Sequence, residues 1–243
     1  AELVVLNGCS IRDKAEQKVW SDLGRFASRW KREGRPTVAV TGCVAQRVGQ
    51  AMAARFPWVR LVAGPRHIGA LPPALSMLVQ DEESRVFMMD DDPRAFIDLP
   101  GAPTERVNRW RAFVTIAHGC DNFCSYCIVP FVRGRERSAG FDQIIKTAEK
   151  LAGEGVVEIT LLGQNVNSYG QDLKTGHENF AKLLSEISQI KALKRIRFMT
   201  SHPGDFNEDI IDVISENNNI MNHVHLPLQA GSDRILKKMN RHY

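Results

Sequence analysis

The sequence predicts an α/β protein in two parts: an N-terminal parallel, doubly wound sheet followed by a second run of β/α units. Three observations carry that expectation. Short runs rich in Val, Leu and Ile recur along the chain, the stretches between them repeat apolar residues at helical spacing, and one segment dense in Asp, Pro and Gly interrupts the pattern.

In the first part, Leu3 to Leu6, Thr37 to Val40, Val59 to Val62 and Val86 to Met88 read as strands, with helical segments near 13 to 31, 44 to 55 and 66 to 79. DDDPRAFIDLPGAPTERVN carries too few buried-type residues for an element and reads as a linker. The expected domains are therefore 1–88 and 110–243, joined by 89–109. Ala112 to Ile116 opens the second alternation. Residues 141 to 152 place Phe141, Ile144, Ile145, Ala148, Leu151 and Ala152 on one helical face. Strand Val156 to Leu162, a helix around Phe180, Leu183, Leu184 and Ile187, strand Ile196 to Met199, a helix through Ile210, Ile211 and Ile214, strand Val224 to Leu228 and a helical start at Ser232 follow. Four such units in a row predict part of a barrel or an open doubly wound sheet.

Composition narrows the function classes. With 243 residues, 43% hydrophobic and 25% charged, the chain matches ordinary globular proteins and excludes wholesale disorder. No run approaches the roughly 20 apolar residues that cross a bilayer, so no membrane partner is expected. AELVVLNGCS lacks the basic head and long apolar centre of a secretion signal, which predicts a cytoplasmic protein. The chain opens inside a strand-like run without an initiator Met, and residues upstream are expected. A net charge of +4 is compatible with a polyanionic partner such as nucleic acid. The cysteines, 5 in number, are odd for pairing in a chain long enough to bury a core, and they point to a reducing compartment.

Ligands of parallel α/β sheets gather at the carboxyl ends of strands, and all the cysteines sit there. Cys9 follows LVVLNG, Cys43 follows TVAVTG and Cys120 follows AFVTIAHG. A lone Cys is more often a small buried hydrophobe, but clustering removes that reading for Cys120, Cys124 and Cys127. These form a C-x3-C-x2-C loop between a strand and a helix. Zinc would want a fourth ligand, for which only nearby His118 offers itself, and a redox C-x-x-C would leave Cys120 unused. A [4Fe-4S] cluster with three protein ligands and one open iron uses all three.

That loop, with Tyr126 before its last Cys, resembles the radical S-adenosylmethionine (SAM) superfamily. LNGCSIRDKAEQKV, TGCVAQ, GCDNFCSYCIVPFVRGRERS, LLGQNVNSYG, RFMTSHP and HLPLQAGSDRILKKMNR together resemble the methylthiotransferase family within it, in the branch of tRNA 2-methylthioadenosine synthases of the MiaB type. The resemblance implies a methylthiotransferase domain followed by a partial (β/α) radical SAM barrel, truncated at its C-terminal end. It implies two [4Fe-4S] clusters. One, on Cys120, Cys124 and Cys127, would bind SAM and cleave it to a 5'-deoxyadenosyl radical. The other, auxiliary, would be held by Cys9 and Cys43 with a third ligand upstream of this sequence, and would present the sulfur to be transferred. The implied substrate is tRNA carrying N6-isopentenyladenosine beside the anticodon, with an electron donor such as flavodoxin or ferredoxin and a sulfur source as partners. Alternatives are another methylthiotransferase substrate, threonylcarbamoyladenosine in tRNA or a ribosomal protein, or a non-catalytic metal-containing RNA-binding protein.

Polar residues at strand exits are the SAM-binding candidates: Gln164 and Asn165, Ser201 and His202, and Gln229, with Ser232 equally suited to cap a helix. Tyr126 is expected to stack on the SAM adenine. Arg133, Arg135 and Arg137 alternate with Gly134 and Glu136, and an extended backbone would align them as a phosphate-binding stripe. Arg94, Arg106, Arg109 and Arg111 read as linker and surface charges. His223 and His225 would share one face of a strand, in the core or on the SAM side, while His67 and His177 give no signal.

Overall fold

A computed structural model describes residues 2–81, 83–89, 108–173 and 178–243. Most of the expected linker, with Arg94 and Arg106, and His177 lie outside them. The chain divides into two compact units, Ala1–Ala102 with Cys127–Gly134, and Pro103–Tyr126 with Arg135–Tyr243.

The first unit is built on four parallel strands in the order β1 (Leu3–Gly8), β2 (Thr37–Gly42), β3 (Val59–Ala63), β4 (Val86–Met88). Period-two alternation sends Val38 and Val40 to one face and Ala39 to the other. On the first face Val19 and Leu23 of α1 (Asp13–Arg25), Trp30 of α2 (Ala27–Glu33) and Val44 and Met52 of α3 (Cys43–Arg55) pack against Val38, Val40, Val59 and Val62. On the second, Ala74 and Leu78 of α4 (Leu71–Gln80) cover Ala39, Leu61 and Ala63. Helices on both faces make the sheet doubly wound and explain why β3 is buried along its whole length. The arginine inside that strand, Arg60, is 9% exposed yet fully engaged. It donates to Thr37 Oγ1 (3.3 Å), the Ser84 carbonyl (3.0 Å) and the Asp81 carbonyl.

In the second unit, β5 (Arg111–Thr115) leads into a short antiparallel pair, β6 (Ala117–His118) with β7 (Arg137–Ser138). Between these the chain makes α5 (Val129–Arg133), which packs with the first unit on α3. β8 (Glu158–Leu162) and β9 (Arg195–Phe198) complete a parallel sheet of order β5-β8-β9. Around it run α6 (Phe141–Gly153), α7 (Phe180–Ser188), α8 (Glu208–Glu216) and α9 (Asp233–Lys238). The apolar stripe of α6 reaches the core as its spacing requires, with Ile144 and Ala148 fully inside. Asn179 and Asn207 start α7 and α8 by accepting from the Lys182 and Ile210 amides at 2.8 and 3.2 Å. Ser232 occupies the N-cap position of α9, but its side chain makes no capping bond. At the amino ends of the strands Glu158, 4% exposed, is held by Arg111 (3.2 Å), Arg197 (3.5 Å) and Arg195.

The expected strand Val224 to Leu228 does not form. The sheet continues past β9 only through a parallel bridge between Ile196 and Ile220. The chain then turns at Met221, whose carbonyl accepts from the His223 amide (2.7 Å), and Pro227 removes a ladder donor. His223 and His225 are consequently exposed, which excludes the expected core placement. No helix among the described residues is long and apolar enough to cross a membrane.

Candidate active site

Strand register places Cys9 and Cys43 at the same end of two paired strands. Gly8 and Gly42 are partners at the carboxyl ends of β1 and β2, and each cysteine is the next residue. Gly42 has φ +86°, and a Cβ there would lie 2.6 Å from the Gly8 carbonyl oxygen, so only glycine permits this approach. Cys9 is exposed, whereas Cys43 begins α3 and is buried. Arg133 Nε donates to the Cys43 sulfur at 3.3 Å. This corrects the expected arginine stripe: Arg133 ends a helix and turns inward, and Gly134 at φ +79° breaks the extended path. Arg135 and Arg137 remain exposed on alternate positions. Arg135 pairs with Asp121 (3.1 Å) and lies over the Phe123 ring at 5.1 Å.

The C-x3-C-x2-C loop follows β6. Cys120, Cys124 and Cys127 are half-buried and form no disulfide. The donor set is three soft sulfurs, the chemistry that suits iron-sulfur ligation. Two of them accept N–H donors at 3.4 Å, Cys120 from Asn122 Nδ2 and Cys124 from Arg241 Nη1. Among the described residues no three His, Cys, Asp or Glu form a group that could hold a single metal ion. The loop is tied down from α9 and the residues after it. Ser125 donates from its amide to the Met239 carbonyl (3.0 Å) and from its hydroxyl to the Lys238 carbonyl (3.1 Å), and Asn240 Nδ2 donates to the Phe123 carbonyl (2.9 Å). Tyr126 keeps half its surface exposed, with its hydroxyl accepting from Arg241 at 3.1 Å. Burial of the phenol raises its pKa, and the Arg241 charge opposes that rise.

Behind the loop, the exits of β8 and β9 hold a buried polar cluster. The Gln164 side chain accepts from the Gly119 amide just ahead of Cys120, so it braces the loop. Asn165, 3% exposed, donates to Asp205 (2.6 Å) while its Oδ1 has no partner; Asn167 Nδ2 and the Ser201 hydroxyl are likewise buried and unpartnered. Buried polar atoms are seldom left unpaired, so three orphans at strand exits fit a ligand that both donates and accepts hydrogen bonds. Thr200, a β-branched residue at φ +72°, adds backbone strain at the β9 exit, and Gln229, in the irregular segment that follows, has φ +63°. Gln229 is exposed and is not drawn into the cluster. His202 Nδ1 accepts from the Gly204 amide (3.2 Å), and burial followed by the Arg241 charge holds its pKa below the usual histidine value, against the pull of Asp205.

Several residues join the site without having been singled out in the sequence: Asn167, Ser168, Asp205, Arg241 and Glu136. Burial pushes the Glu136 carboxyl up to about 7, the Ser168 hydroxyl opposing and the like charges of Asp121, Asp172 and Asp205 adding. The quoted segments GQNVNSYG, GRERS and KKMNR contain most of them, yet their polarity alone cannot distinguish a side chain facing inward from one facing solvent.

Comparison with known proteins bears on the family and the fold. Residues 114–243 match the family model "Radical SAM superfamily", and residues 1–64 match "Uncharacterized protein family UPF0004". Proteins named tRNA-2-methylthio-N(6)-dimethylallyladenosine synthase are 44% identical in Dictyoglomus thermophilum and 43% in Clostridium tetani, over 100% of this chain and 54% and 53% of theirs. The chain thus spans about half the length of the curated relatives it matches. Among solved structures, the radical S-adenosylmethionine methyltransferase TsrM from Kitasatospora setae, with tryptophan and a SAM analogue bound, is similar at TM-score 0.64 and 16% identity. That match covers 100% of this chain and 52% of TsrM. The cobalamin-dependent enzyme OxsB follows at TM-score 0.60 and 13% identity, over 99% of this chain and 37% of OxsB. Both likenesses concern the fold.

Proposed function

Because the chain belongs to the radical SAM superfamily, we propose that it is part of a tRNA methylthiotransferase, which inserts a methylthio group at C2 of N6-isopentenyladenosine beside the anticodon. The observation that carries this reading is the 44% identity to the Dictyoglomus synthase, which extends over both units. C2 of an adenine ring offers neither an acidic proton nor a leaving group, so acid-base chemistry cannot replace its hydrogen by sulfur. Cys120, Cys124 and Cys127 would hold a [4Fe-4S] cluster that, when bound, supplies the electron for cleaving SAM to a 5'-deoxyadenosyl radical.

The rest of the work falls to the chain itself. Tyr126 presents a half-exposed ring for stacking on the SAM adenine. Asn165 Oδ1, Asn167 Nδ2 and Ser201 Oγ supply the unpaired acceptor, donor and hydroxyl that hold SAM's polar groups. Gln164 fixes the backbone ahead of Cys120. Cys9 and Cys43, at the same end of two paired strands, would be ligands of the auxiliary cluster that presents the sulfur, with a third ligand from elsewhere in the whole protein. Arg135 and Arg137 are the exposed cations suited to tRNA phosphates. A flavodoxin or ferredoxin, a sulfur source and a cytoplasmic setting complete the proposal.

The test is anaerobic reconstitution of the full-length protein, followed by measurement of 5'-deoxyadenosine and of methylthiolated tRNA. Wild type should form both products, Cys124→Ala neither, and Cys43→Ala 5'-deoxyadenosine alone. Full SAM cleavage by Cys124→Ala would overturn the assignment.

A further inference from the structure

Arg241 is the least expected charged group near the cysteine loop. It is 7% exposed, and its guanidinium spends its donors on Tyr243 Oη (2.7 Å), Tyr126 Oη (3.1 Å), the Pro227 carbonyl (3.2 Å) and the Cys124 sulfur (3.4 Å). The Tyr243 ring also lies 5.0 Å from its charge centre. None of the four acceptors of its guanidinium belongs to an Asp or Glu. A buried cation ordinarily requires an anion, because moving a charge out of water is costly unless it is paired. All the acceptors around Arg241 are neutral except a cysteine that becomes anionic on ligating metal. The guanidinium is planar with donors in a fixed fork, so it can hold the sulfur and the Tyr126 hydroxyl at once, which a lysine cannot reproduce.

We propose that Arg241 is a positioning residue of the SAM-cleaving centre, its guanidinium being the counter-charge and hydrogen-bond donor to the Cys124 ligand while orienting Tyr126 for SAM. This rests on the assignment of Cys120, Cys124 and Cys127 as cluster ligands. An N–H donor and a positive charge at a ligand sulfur favour the reduced, more negative cluster, since sulfur hydrogen bonds and local charge set the potentials of such centres. Arg241 therefore makes the cluster easier to reduce. Through the Tyr126 hydroxyl, the same side chain makes SAM binding depend on the condition of the cluster loop.

The test compares wild type, Arg241→Gln, Arg241→Lys and Tyr126→Phe in the full-length, anaerobically reconstituted protein. Iron and sulfide content, the midpoint potential followed by electron paramagnetic resonance, and the SAM dissociation constant are measured for each. Arg241→Gln should retain iron but shift the one-electron reduction equilibrium about tenfold toward the oxidised cluster, about 59 mV more negative, and weaken SAM about tenfold. Arg241→Lys should recover much of the potential but little of the SAM affinity. Tyr126→Phe should lose SAM affinity with the potential unchanged, and it remains informative if Arg241→Gln fails to fold. Wild-type potential and SAM affinity in an iron-loaded Arg241→Gln, or unaltered SAM binding in Tyr126→Phe, would overturn the proposal. A wild-type protein that takes up no iron and sulfide would instead defeat the ligand assignment beneath it.

Discussion

Arg133 Nε sits 3.3 Å from the sulfur of Cys43, at the first residue of α3. The sulfur therefore accepts a guanidinium N–H at the start of a helix. A hydrogen bond from a charged donor contributes about 1.5 kcal/mol, or roughly tenfold in rate or affinity. Arg133→Met should lower methylthiolation about tenfold while 5'-deoxyadenosine formation and tRNA affinity stay near wild type. Equal loss of tRNA affinity would return Arg133 to a phosphate-binding role.

Glu136 predicts a pH dependence. Its carboxyl is protonated below about 7 in the folded protein, while an exposed glutamate ionises from its ordinary value of 4.5. Between those values the folded state holds a proton that the unfolded state has lost, so this group's contribution to stability falls as pH rises through that window and stays low above it. Ionised Glu136 adds negative charge beside the proposed SAM site, so affinity for the cationic SAM should rise as pH passes through about 7. Isothermal titration across this range should show the rise in wild type and a flat profile in Glu136→Gln. The same rise in the variant would assign it to another group.

Arg135 and Arg137 stand for the proposed tRNA contact. Replacing both by Ala should weaken tRNA binding at low salt and reduce the salt dependence of the binding constant by about one unit of slope per arginine. An unchanged slope in a filter-binding titration would show that these charges only serve the loop.

Glu158 tests the scaffold rather than the chemistry. One buried carboxylate on β8 gathers Arg111 from β5 and Arg195 and Arg197 from β9, the two strands that flank it. Glu158→Ala should lower unfolding free energy by about 2 kcal/mol, read by urea denaturation. A change within 0.5 kcal/mol would mean that solvent already screens these arginines.

Much of this was legible in the sequence because it depends on periodicity and strand exits. β1 to β4 emerge where runs of Val and Leu place them, the apolar stripe of α6 enters the core, and Cys9, Cys43 and Cys120 each follow a strand. What failed depends on tertiary direction. A charge pattern cannot reveal that Arg133 turns inward, because that follows from α5 packing with α3 and from Gly134 breaking the extended path. Val224 to Leu228 has the composition of a strand but lacks a continuous partner beyond the Ile196–Ile220 bridge. Nothing in the sequence singles out Arg241, because its partners Cys124 and Tyr126 lie more than a hundred residues earlier.

Nucleoside mass spectrometry of tRNA from cells with and without the gene tests the central claim most directly. The account predicts that 2-methylthio-N6-isopentenyladenosine disappears on deletion, that N6-isopentenyladenosine accumulates in its place, and that the full-length gene restores the modification while its Cys124→Ala variant does not. Undiminished 2-methylthio-N6-isopentenyladenosine in the deleted strain would contradict it.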